Sequence, residues 1–282
     1  MTSTDHAGDR VIADSCPLCG QPRGEPFVSN EWSWVRCKCG LVYKTTEPVA
    51  AGAQDGYGEA YFETYRRRHR HRVAKARRQI VDALEHGARG PLLDVGCSLG
   101  YALEAARSVG LDACGVDVSE HAVAGCRSLG FDARVGSLEA LPFEDGAFAM
   151  VVMKHVLEHT SQPRRALAEV SRVLRPAGVV FIAVPNADYF KAVRSPRTSR
   201  FFRGEGGRAH YVYYTAATLG RLLEQQGFRV VQVHPCLLHR RAGRVRLARD
   251  VAALAGRWIA RAVARRARLR KEFWLVAVRE NP

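Results

Sequence analysis

The chain has 282 residues, 47% of them apolar, enough for one large domain with a small appendage. No run of eighteen apolar residues occurs, which excludes a helical membrane span; Met1 to Arg10 lacks the apolar core of a secretion signal, so the expected location is the cytoplasm. A formal net charge of +15 points either to an Arg-rich, solvated surface or to an anionic partner.

Residues 1–14 read as an unstructured tail. Cys16-Pro17-Leu18-Cys19-Gly20 and Cys37-Lys38-Cys39-Gly40 then form two cysteine pairs, each closed by a glycine. Such knuckles let backbone amides turn toward sulfur, and the seventeen residues between the pairs suit a four-cysteine zinc site. The second pair is C-x-C rather than C-x-x-C, so free thiols stay open as the alternative. Residues 15–45 are therefore expected as a small zinc ribbon with Cys16, Cys19, Cys37 and Cys39 as ligands to a structural Zn²⁺. So few residues bury little core, and the metal would supply the folding energy. Cys97, Cys114, Cys126 and Cys236 are scattered through apolar or turn contexts and read as core thiols of a reducing compartment.

Residues 46–86 read as a linker and a basic helix. Its arginines, Arg66 to Arg78, are too dense for a buried face, while Tyr61, Phe62 and Tyr65 offer an aromatic face to a cleft. From residue 91 the pattern alternates. Strands are expected at 91–95, 113–117, 131–135, 147–153 and 179–184, with helices at 100–109, 119–129 and 161–174 between them. That alternation implies a parallel sheet covered by helices on both faces, with ligands beyond the carboxyl ends of the strands. A helix capped by Thr215, a sixth strand at 228–234 and a seventh at 273–278 complete the domain, placed at 87–238 together with 272–282.

The first strand ends in Leu92-Leu93-Asp94-Val95-Gly96-Cys97-Ser98-Leu99-Gly100, a lean turn that lets backbone N–H groups approach a ligand closely. Twenty-three residues after Asp94, Asp117 ends the second strand, where a carboxylate can accept hydrogen bonds from ribose hydroxyls. After the fourth strand come Lys154, His155, Glu158 and His159, and the loop after the fifth strand ends in His210-Tyr211-Val212-Tyr213-Tyr214. Residues 239–271 hold eleven Arg and one Lys against one Asp. Val251, Leu254, Trp258, Ile259 and Ala262 share one helical face there, and Arg257, Arg261, Arg265 and Arg268 another. This basic amphipathic insertion suits an anionic membrane surface, such as the inner face of the cell membrane, or a nucleic-acid backbone; a helix packed on the domain with a wet Arg face is the plainer reading.

These pieces together resemble the class I S-adenosylmethionine-dependent methyltransferases, and among them bacterial members with an N-terminal zinc ribbon. The likeness is carried by residues 92–100, Gly115-Val116-Asp117-Val118-Ser119, Leu141-Pro142-Phe143 before Phe148, His155-Val156-Leu157-Glu158-His159, Leu174-Arg175-Pro176-Ala177-Gly178 and His210 to Tyr214. The resemblance implies a Rossmann-like α/β fold with a seven-stranded sheet whose last strand is antiparallel. It implies S-adenosylmethionine as cofactor, with Asp94, Gly96 and Gly100 around its methionine part, Asp117 on the ribose, and Cys97 and Val118 in the same cofactor site. Ser137 and Leu138 stand where an adenine-binding acid is common, and Ser98 replaces a glycine. The expected acceptor is a small molecule, sugar or lipid-linked group methylated on oxygen. His155 is the first choice of general base and His210 the second, because an imidazole titrates near neutral pH. An RNA methyltransferase and a non-catalytic cofactor-binding scaffold are the alternatives.

Overall fold

The computed structural model describes residues 9–29, 32–48, 68–189, 195–199, 201–203, 209–235 and 271–280. Near-continuous apolar runs make the central strands. β5 (Leu92–Val95) is buried throughout, and β8 (Phe148–Lys154) is buried up to its terminal lysine. With β6 (Ala113–Asp117), β7 (Asp132–Val135) and β9 (Leu174–Pro185) they form a parallel set, and β11 (Phe228–Pro235) and β12 (Glu272–Arg279) extend it. The sheet has seven strands in the order β11-β12-β9-β8-β5-β6-β7, with β12 antiparallel to both neighbours. The chain leaves β5 toward β6 and β7, then returns to the other side of β5 for β8 and β9. That reversal opens a crevice at the carboxyl ends of β5 and β8, where α/β sheets bind ligands.

Alternation along the strands sends side chains to two cores. Leu93, Val95, Val151, Met153, Val180 and Ile182 pack on one face with α4 (Pro163–Val173) and α5 (Ala216–Glu224) through Leu167, Val170, Leu222 and Leu223. Leu92, Met150, Val152 and Phe181 pack on the other with α1 (His69–Leu84) and α2 (Tyr101–Arg107) through Ile80, Ala102 and Ala106. Each buried Leu, Val, Ile or Phe contributes roughly 1.5–3 kcal/mol relative to exposure. Ser119 caps α3 (Glu120–Ser128) by accepting from Ala122 N–H, and Thr215 caps α5 in a capping box with Thr218.

The cysteine-bearing segment folds as β2 (Glu25–Ser29), β3 (Ser33–Arg36) and β4 (Val42–Pro48). Two differences from the expectation stand out. Asp9–Val11, expected inside an unstructured tail, is a strand (β1) paired with β4. The ribbon also shares its sheet and core with the main domain. β10 (Val212–Tyr213), from the loop after β9, pairs with β4, and Cys16, Leu18, Cys37, Leu41 and Tyr43 belong to the same apolar cluster as Val151 and Ile182. Arg164 of α4 donates to the carbonyls of Pro17 and Leu18, and Arg221 of α5 to that of Cys39. A two-residue strand is stable there because it closes an existing sheet edge. Tyr61, Phe62, Tyr65, Arg66, Arg67, Cys236 and the basic segment up to residue 270 lie outside the described residues.

Candidate active site

The turn after β5 is built from left-handed residues. Gly96 and Gly100 both have φ of +73°, and Ser98 has φ of +48°. Gly96 and Cys97 N–H both donate to the carbonyl of Val116, at 2.8 and 3.1 Å, which anchors the turn on β6. Serine thus takes the backbone conformation that a glycine would supply, at a cost of about 1–2 kcal/mol. Gly96 has no such substitute, since a Cβ there would stand 2.4 Å from Val156 Cγ2. Gly96→Ala is expected to cost about 2–4 kcal/mol in chemical denaturation, from left-handed strain plus overpacking.

Asp117 is fixed by both turns. Its Oδ2 accepts from Ser98 N–H and its Oδ1 from Ser119 N–H, each at 2.9 Å. One amide per oxygen leaves a further lone pair on each, enough for two hydroxyl donors. Gly136 N–H reaches the Asp117 carbonyl at 3.1 Å, so the turn after β7 is tied to the same place. Ser137 there forms an isolated bridge with Ala140, Leu138 is buried, and Val118 is 51% exposed, an apolar surface open to a ligand. Cys97 lies beneath the turn, 3.9 Å from Cys126 Sγ. Ser98 Oγ is buried with no hydrogen-bond partner. Asp94, at the end of β5, is 5% exposed; burial pushes its carboxyl up to about 7, with Lys154 opposing and Asp117 reinforcing.

A second polar group occupies the ends of β8 and β9. His155 has φ of +56° and keeps 39% of its side chain exposed. Its Nε2 meets Glu272 Oε2 at 2.7 Å and its Nδ1 meets Glu158 Oε1 at 3.3 Å. Burial works against its charge, but the two carboxylates outweigh it and raise its pKa to about 9. Glu272 also accepts from Lys75 of α1 at 2.6 Å, and the hydrogen bond from His155 holds its pKa far below the usual carboxylate range. Burial lowers Lys154 to about 8. Glu158 is fully buried; burial raises its pKa, but the His155 contact wins and the net shift is downward.

His159 Nδ1 donates to the Ala209 carbonyl at 2.9 Å, and Tyr211 N–H to the Glu158 carbonyl at 2.7 Å. These bonds seat residues 157–159 against residues 209–211 and bring His210 alongside. His210 Nδ1 contacts Tyr213 Oη at 2.8 Å, and burial pushes its pKa down to about 4.

The structure brings the expected cofactor residues to one end of the sheet and the two histidines to the same end. The assignment of His155 as a free base meets a different geometry: with two carboxylates at its ring nitrogens it holds its proton at neutral pH. Sequence reasoning missed Glu272 altogether. Because β12 runs antiparallel, with Glu272 opposite Pro185, its first residue arrives at the carboxyl end of β9. An acid directly after a basic run carries no local mark of that. In the ribbon, Cys16 and Cys39 sulfurs are 3.6 Å apart and Cys19 and Cys37 sulfurs 3.5 Å, with no disulfide among them.

Residues 65–233 match the family model described as Methyltransferase domain, and the chain belongs to that family. It is 33% identical over 154 residues to a probable S-adenosylmethionine-dependent methyltransferase of Mycolicibacterium smegmatis, covering 54% of this chain and 57% of that one. It is 32% identical over 123 residues to the ubiquinone biosynthesis O-methyltransferase of Methylococcus capsulatus, covering 41% and 52%. The chain thus spans little more than half the length of these curated relatives. Its fold matches a SAM-dependent methyltransferase from Archaeoglobus fulgidus with a TM-score of 0.56 at 22% identity, covering 79% of this chain and 100% of that one. Among the described residues no helix is long and apolar enough to cross a membrane.

Proposed function

We propose that the chain binds S-adenosylmethionine in the crevice at the carboxyl ends of β5 and β8 and methylates an oxygen of a small, hydroxyl-bearing acceptor. The observation that carries this reading is the Asp117 carboxylate, clamped by two amides with lone pairs to spare beside the left-handed turn at 96–100. The residues fit the cofactor: Asp117 for ribose hydroxyls, the unpartnered Ser98 Oγ for a polar edge, and Asp94 for its ammonium. The cofactor supplies an electrophilic methyl group on a sulfonium. The chain's task is to hold it and to align an acceptor oxygen. Oxygen is favoured by the O-methyltransferase named among the relatives and by the imidazoles at this end.

We assign His155 to positioning: as an imidazolium it ties Glu158 to Glu272 and so joins β8 to β12. The lone pair of His210 is the basicity offered to an acceptor hydroxyl. Incubation with methyl-labelled S-adenosylmethionine and a panel of catechols, hydroquinones and sugars is expected to yield a product one methyl heavier. Label entering bulk RNA instead would overturn the acceptor class.

We infer that the ribbon cysteines hold a structural zinc ion. Tetrahedral Zn–S bonds of ~2.3 Å place sulfurs about 3.8 Å apart, near the 3.5 and 3.6 Å found. Metal analysis of the purified chain is expected to find zinc that is lost with Cys16→Ser/Cys19→Ser, together with cooperative unfolding of the ribbon. A zinc-free native chain would refute it.

A further inference from the structure

Glu158, His159 and His210 each offer one ligand atom, and these atoms all lie within 4.8 Å of one another. The hydrogen bonds show which ring atoms are left to ligate. The Ala209 carbonyl can only accept, so His159 carries its proton on Nδ1. Tyr213 Oη donates its single proton to the Phe201 carbonyl, so it must accept from His210 Nδ1–H. With Nδ1–H so engaged, Nε2 is the ring atom each histidine can offer a cation. The third member is more telling. Glu158 is fully buried, one of its oxygens is taken up with His155, and Oε2 has no hydrogen-bond partner. A buried carboxylate oxygen left unpaired costs more than about 1–3 kcal/mol. A cation placed among the three groups would pair the orphaned carboxylate oxygen and use a lone pair from each ring.

We propose that Glu158, His159 and His210 form a binding site for a divalent transition-metal cation. Two nitrogens and one carboxylate oxygen are a donor set suited to zinc, manganese or ferrous iron, with positions left for exogenous oxygen. Three tetrahedral ligands with bonds of ~2.1 Å stand about 3.4 Å apart, so side-chain rotations on the order of an ångström close the site. Each histidine already has the outer hydrogen bond that orients a ligating ring, Ala209 for one and Tyr213 for the other. His155 in turn holds the carboxylate. The site differs from the ribbon in chemistry: thiolates there favour soft cations, nitrogen and oxygen here accept harder ones. The proposal rests on reading this end of the crevice as the acceptor's place. In the loaded site the cation replaces His210 as the group acting on the acceptor: the ring's lone pair holds the cation, and the cation binds the acceptor oxygen and makes its hydroxyl more acidic.

Mn²⁺ titrated into the purified full chain, followed by calorimetry and electron paramagnetic resonance, tests the site. A saturable Mn²⁺ site is expected, with about one ion per chain, since four thiolates compete poorly for that ion. His159→Asn and His210→Asn are the informative variants. The asparagine amide can replace Nδ1–H as donor to Ala209 or Tyr213 while deleting Nε2. Each is expected to weaken Mn²⁺ binding by more than about tenfold with the melting temperature retained. Glu158→Gln should do the same, with the isosteric amide guarding the fold. Absence of saturable Mn²⁺ binding in the folded chain, or binding unchanged in both asparagine variants, overturns the proposal. Binding of S-adenosylmethionine in the same samples tests the crevice reading separately: retained cofactor binding without Mn²⁺ removes only the cation.

Discussion

Asp117→Ala is expected to weaken S-adenosylmethionine binding by a factor of about 100 to 10,000 in calorimetry. The carboxylate has two oxygens, each already holding one backbone amide at 2.9 Å and each free to accept one ribose hydroxyl. Hydrogen bonds to a charged group contribute roughly 1.5–3 kcal/mol apiece, so losing two costs about 3–6 kcal/mol of binding. The change also frees Ser98 and Ser119 N–H, and with Ser98 goes one of the ties that hold the left-handed turn against β6. Asp117→Asn should fare little better: its amide would face one of the two backbone donors instead of accepting from it. Affinity equal to that of the unmodified chain would remove the crevice as the cofactor site.

The parts of the molecule legible in the sequence are those whose cause is local. The strand at 113–117 is found as expected, because an apolar run between a helix stop and an N-cap serine leaves one choice. Thr215 is the cap it was expected to be. Ser98, the apparent flaw in the glycine turn, keeps the turn by adopting a positive φ itself. What could not be read is what distant segments do to one another. Nothing in Asp9–Val11 or Val212–Tyr213 announces a strand; both exist because β4 offers an edge. His155 looks like a free imidazole at the end of a strand until Glu272, 117 residues later, is delivered beside it. Glu158, in the sequence one of four polar residues after the fourth strand, is a buried acid with an unpaired oxygen. The fold follows from periodicity, whereas the protonation states of the site follow from contacts that periodicity does not encode.

The second large effect concerns pH. Cofactor affinity is expected to rise steeply from pH 5 to 7 and to level off above, with the dissociation constant at pH 5 about a hundredfold higher than at pH 8. Asp94 is the cause. Burial lifts its carboxyl to about 7, an effect that Lys154 moderates and Asp117 strengthens. A cofactor bearing an ammonium and a sulfonium binds the ionised form better. Below pH 7 each binding event must therefore expel a proton, which costs up to tenfold in affinity per pH unit. The sign is set by the direction of the shift: the free protein holds this proton, the complex does not, so binding follows rising pH. Three neighbouring groups are shifted away from the steep part of the profile. His210 is pushed down to about 4, while His155 at about 9 and Lys154 at about 8 lose their protons above it. Calorimetry in buffers of different ionisation enthalpy should find about one proton released per cofactor at pH 6 and little at pH 8. Asp94→Asn, which cannot ionise, should bind weakly at every pH and release none. A flat profile in the unmodified chain would mean that this carboxyl is already ionised, or that it does not face the cofactor's charge.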